Sequence, residues 1–148
     1  MLKQYQHTQI GYLIIVLSVL VMLLLVGLMA IYGFNWGSLV VLIILPICLV
    51  LLASLTVAIE NDFLKIRFGI GIIQRKFYLK DIVSSQIVKN PWYYGWGIRF
   101  TPSGLLYNVS GLYAVEIKLK NGKQYRIGTD VPNELEPAIR QSVGIKTI

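Results

Sequence analysis

The first third of the chain shows no alternation of polar and apolar positions. Residues 10–32 form one apolar run without a charge. Those 23 residues would extend about 34 Å as a helix, enough to cross a hydrocarbon core of ~30 Å with some tilt. A cleaved signal peptide fits less well, because the run is long and no small-residue cleavage site follows it. Residues 33–38 are short, turn-forming and aromatic, with Tyr32, Phe34 and Trp36 suited to a membrane–water interface. A second apolar run begins near residue 37 and contains Pro46, which should kink it. From Ser54 the pattern becomes β-branched and alternating, so the second helix is expected to end near Ala53.

Beyond that point a period of two dominates. Residues 55–60 and 63–68 read as strands around an Asn61-Asp62 turn, with Leu64, Ile66 and Phe68 alternating against Lys65 and Arg67. Gly69-Ile70-Gly71 turns into a strand over residues 72–78. A polar corner at residues 79–82 precedes another strand, 84–89, which Asn90-Pro91 ends. The hairpin at Asn121-Gly122 permits a register test, since Val115, Ile117 and Leu119 should share a face with Tyr125 and Ile127. A two-residue loop sets Ile117 opposite Arg126 and fails. A three-residue loop, Lys120-Asn121-Gly122, pairs Ile117 with Tyr125 and places Gly122 at a left-handed position. Thr129-Asp130 is a capping pair before Pro132, and Leu135, Ala138, Ile139 and Val143 recur at helical spacing, with Gly144 as the stop. The expectation is an α+β membrane protein. Its two helices form a transmembrane hairpin (about 10–32 and 37–53) after a short tail, and residues 54–148 form a small barrel or sandwich of about seven antiparallel strands capped by a C-terminal helix.

Charge sharpens this division. Up to Ile59 the only Lys, Arg, Asp or Glu is Lys3, and the rest of the net charge of +7 comes from Glu60 onward. Lys3, Lys65, Arg67, Arg75 and Lys76 flank the helix ends, while the loop between the helices has no cation. The positive-inside bias therefore places both termini in the cytoplasm, on a multi-pass protein of the cell membrane. Cys48 is the single cysteine and His7 the single histidine, the latter in the tail and remote from the soluble part. No His dyad, metal spacing, phosphate loop or paired carboxylates can be read, so neither an enzyme nor a cofactor or metal is expected. The absence of a basic run argues against nucleic acid.

The densest local signal is Pro91-Trp92-Tyr93-Tyr94-Gly95-Trp96-Gly97-Ile98-Arg99-Phe100. With the Leu106-Tyr107-Asn108-Val109-Ser110-Gly111 segment, the Asn121-Gly122-Lys123 hairpin and the Ile127-Gly128-Thr129-Asp130 approach to the last helix, it makes the chain resemble bacterial membrane proteins with a pleckstrin-homology-like domain. The resemblance runs from about Leu55 to the end, and the helical hairpin agrees in architecture only. It implies two nearly orthogonal antiparallel sheets closed by a C-terminal helix, and it assigns no activity. Eukaryotic relatives bind phosphoinositides through basic residues around the first hairpin loop. Here that loop is Asn61-Asp62, short and acidic, so no binding residue is carried over.

Two roles compete for Trp92, Tyr93, Tyr94 and Trp96: cover for the sheets, or, with Arg99, an exposed platform for a partner or the headgroup region. Lys65, Arg67, Arg75 and Lys76 are the candidate lipid-facing residues on neighbouring strands. The expected function is a non-enzymatic, membrane-anchored module that binds a protein or peptide partner or a second copy of itself. Recognition of anionic lipid headgroups by the basic strands is the alternative.

Overall fold

A computed structural model describes residues 3–144. Strand β1 (Lys3–Ile10) leads into helix α1 (Tyr12–Tyr32), which returns through α2 (Trp36–Leu52) to β2 (Ser54–Glu60). There follow β3 (Phe63–Phe68), β4 (Ile73–Tyr78), β5 (Ile82–Lys89), β6 (Gly97–Thr101), β7 (Gly104–Asn108), β8 (Tyr113–Leu119), β9 (Gln124–Gly128) and α3 (Pro132–Val143). The chain is thus α+β: two N-terminal helices, two sheets and a C-terminal helix.

The first ten residues depart most from the sequence expectation. They are not a tail, because β1 pairs antiparallel with β2 from Lys3 opposite Glu60 to Ile10 opposite Ser54. The two helices are therefore an insertion within a β-hairpin. The Gly11 N–H donates to the Ala53 carbonyl at 2.7 Å, closing the base of that insertion. A Cβ on Gly11 would stand 2.7 Å from the Val109 carbonyl oxygen, so only glycine lets the three segments meet here. By length and composition α1 can cross a membrane, whereas α2 is as free of charge but shorter and continues through Pro46.

The sheets have the orders β1-β2-β3-β4 and β5-β8-β9-β7-β6. Nine strands are present among the described residues, against about seven expected, and the sheets do not close into a barrel. Not all neighbours are antiparallel either: β7 runs parallel to β9, with Leu105 opposite Tyr125. The β8–β9 register matches the three-residue loop, Ile117 facing Tyr125 and Val115 facing Ile127, with Gly122 at φ 83°.

Alternation explains the core. Leu55, Val57, Ile59, Leu64, Ile66 and Phe68 from the first sheet meet Tyr107, Val115, Ile117, Tyr125 and Ile127 from the second, and all are buried. Helix α3 adds Leu135 and Ile139. Its N-terminus lies one residue later than the capping pair suggested. The Thr129 hydroxyl accepts from the Val131 N–H at 3.1 Å, while Asp130 turns to His7. On its inner turn Glu136 is buried and accepts from the Ser85 hydroxyl at 2.9 Å and from Arg140 Nε at 3.0 Å.

Candidate functional site

One end of the β domain is the root of the helical hairpin, and several turns gather there. Gly69, at φ 50°, follows β3, and its N–H donates to the Ser54 carbonyl at 2.9 Å. A Cβ at Gly69 would fall 2.0 Å from the Val50 carbonyl oxygen, so the β3–β4 turn lies directly against the end of α2. That turn exposes Ile70 and Ile72. From the second sheet, Ser110 accepts from Gln9 Nε2 at 2.9 Å, and the Leu112 carbonyl accepts from the Asn90 N–H at 2.7 Å. Asn90 is the last residue before the aromatic segment.

A buried polar network fixes that start point. Arg126 Nε donates to Glu116 Oε2 at 2.8 Å, one terminal nitrogen to Asn90 Oδ1 at 2.8 Å and the other to the Ser103 hydroxyl at 3.0 Å. Gln86 Nε2 satisfies the second Glu116 oxygen at 2.9 Å. Strand register makes this network, since Glu116 stands opposite both Gln86 and Arg126. Removing one member of such a pair would leave the other buried without compensation.

From this anchor residues 92–94 form a single tight helical turn. Trp92 is 81% exposed and Tyr93 is exposed beside it, each ring meeting its neighbour edge-on. They do not cover the sheets. Tyr94 and Trp96 are half-buried. Trp96, with Gly95, Gly97 and Arg99, forms one wall of a cleft of about 430 Å³ whose other wall is Ile14, Ser18, Leu45, Cys48, Leu49 and Leu52 of the hairpin. Arg99 Nε donates to the Trp96 carbonyl at 3.1 Å, which orients the guanidinium. Cys48 is exposed on α2 and faces this cleft.

The four basic residues do not make one surface. Lys65 and Arg67 alternate with buried Leu64 and Ile66, and Lys76 stands opposite Lys65, so these three share the outer face of the first sheet. Arg75 stands opposite Ile66 and lies 5.9 Å from the Phe77 ring and 5.8 Å from that of Tyr125, at the gap between the sheets. There it borders a second groove of about 380 Å³ with Phe100, Leu105, Lys123 and Tyr125. Phe100 is 94% exposed and sits on β6, an outermost strand of its sheet. Sequence reasoning named Arg99 but passed over Phe100, although its place at the end of an aromatic run was visible.

His7 is also not remote from the domain, since its Nε2 lies 2.6 Å from Asp130 Oδ1. Nearby, burial pushes the Tyr5 phenol up to about 12, with Glu134 and Asp130 adding to the effect. Burial likewise raises Tyr107, against the lowering influence of the Arg75 cation. Compared with known proteins, the chain matches no family model and no curated protein.

Proposed function

We propose that this chain is a non-enzymatic module, anchored by both helices as a membrane hairpin, that offers the free edge of β6 to an extended segment of a partner protein at the cytoplasmic face. The observation that carries the partner reading is Phe100, a large apolar side chain almost wholly in solvent on an outermost strand. An unpaired edge presents backbone donors and acceptors to an incoming strand, and side-chain pockets beside it supply specificity. Arg75 and Lys123 flank the adjoining groove, so the segment it fits is acidic with one apolar anchor.

Support for the two-span anchor comes from the Gly11–Ala53 hydrogen bond, which holds both helix ends at one end of the domain. It comes also from the lack of any charge between Lys3 and Glu60. The paired strand β1 favours an uncleaved helix, because removal of the N-terminal segment would take a sheet strand with it. The pleckstrin-homology-like resemblance agrees with the two sheets and the closing helix, and the cations near the helix ends favour cytoplasmic termini.

The test is site-specific photocrosslinking in native membranes. A benzophenone side chain at position 100 of the full-length protein should yield one discrete adduct, and the same group at Tyr78, exposed on the outer face of β4, should not. Adducts of equal yield at both positions, or none at position 100, would refute the edge-binding reading.

A further inference from the structure

The cleft between the hairpin and the aromatic segment is a site of a different kind from the β6 edge. We infer that it seats one anionic phospholipid, with an acyl chain against the helices and its phosphate on Arg99. The inference rests on the membrane-anchored reading above.

The helix wall is Ile14, Leu45, Cys48, Leu49 and Leu52, apolar throughout, and Ser18 is the one buried residue of α1. Ser18 and Leu45 lie seven and eight positions from the Gly11–Ala53 root, about 10–12 Å along their helices at 1.5 Å per residue. In a bilayer this depth spans the headgroup zone and the first part of the hydrocarbon. One wall of the cleft belongs to the hairpin, and in the membrane-anchored reading lipid is the solvent around it.

At its rim Arg99 uses Nε on the Trp96 carbonyl. Its two terminal nitrogens have no partner among the described residues, which leaves a planar fork of donors suited to phosphate oxygens. No carboxylate lines the cleft to compete for it. Trp96 provides a ring with an apolar body at the same rim, the usual place of tryptophan at a membrane interface. A single cation above an apolar slot complements a phosphodiester joined to an acyl chain. A second protein would need a larger and flatter surface.

The experiment uses the full-length protein carrying Trp36→Phe and Trp92→Phe, so that Trp96 is the sole emitter, in nanodiscs containing equal amounts of phosphatidylglycerol and phosphatidylcholine. Only one lipid is brominated at a time. Brominated phosphatidylglycerol should occupy the position beside Trp96 about fivefold more readily than brominated phosphatidylcholine, the ratio expected for one interfacial cation. Arg99→Gln should bring the ratio to about one, and Cys48→Phe, which fills the slot and keeps the cation, should lower quenching by both lipids. Equal quenching in the starting protein, or an undiminished preference in Arg99→Gln, would overturn the inference. Extraction of the protein from membranes by alkaline carbonate would instead overturn the membrane anchor itself, so the two failures are distinct.

Discussion

Tyr5 shows how much one atom can depend on its surroundings. Its hydroxyl is buried and has no hydrogen-bond partner among the described residues, and its ionisation is pushed up to about 12. In the unfolded chain the phenol loses its proton near pH 10, whereas in the fold it keeps it until about 12. Stability from this group is therefore complete below pH 10 and is lost as pH rises towards 12. Denaturant unfolding of the detergent-solubilised protein should show that loss, and Tyr5→Phe should reduce it while changing stability at neutral pH by no more than about 1 kcal/mol, because no hydrogen bond is removed. Tyr107, also raised by burial, accounts for a remaining slope. Nothing in the Lys3-Gln4-Tyr5-Gln6-His7 stretch announces a buried phenol, because its burial comes from β2 and α3, far away in sequence. Trp92 is the converse case. Its type suggested core, and its exposure follows from the turn that the Asn90–Arg126 contact holds away from the sheets.

At the scale of elements, the turn after β3 couples the domain to the hairpin. Gly69→Ala places a methyl against the Val50 and Leu51 carbonyls at a positive φ, so either the turn or the end of α2 has to move. A loss of about 2–3 kcal/mol in unfolding free energy is expected, together with faster proteolysis at residues 69–72, read by limited digestion of the detergent-solubilised protein. Alternation located β2 and β3 closely, helical spacing between Pro132 and Gly144 located α3, and matching the two arms of the β8–β9 hairpin fixed its loop. That same register sets Glu116 opposite Arg126. What stayed hidden was non-local: β1, whose Gln-rich pattern gives a weak strand signal until β2 is beside it, and the parallel contact of β7 with β9. The basic residues were legible as a group but not as two faces, because placing Arg75 needed the pairing of Arg67 with Gln74.

At the scale of the whole molecule, the domain is discontinuous in sequence. A fragment beginning at Ser54 lacks β1 and bares the edge of β2, a strand of mostly buried residues. Such an edge pairs with other chains. The fragment should aggregate in size-exclusion chromatography, whereas residues 3–10 joined to residue 54 by a short Gly-Ser linker in place of the helices should elute as a monomer. Monomeric behaviour of the bare fragment would mean that β1 is dispensable. The β1–β2 pairing also sets an order of events during synthesis. Lys3–Ile10 emerges first and must wait for its partner until both helices have been made. In a bilayer the two strands can meet only if the helices return the chain to the side from which it left. If both helices insert as proposed, a mis-threaded hairpin would separate β1 from β2 across the membrane and leave the first sheet incomplete, and folding of the β domain would act as a proofreading step for how the helices were inserted.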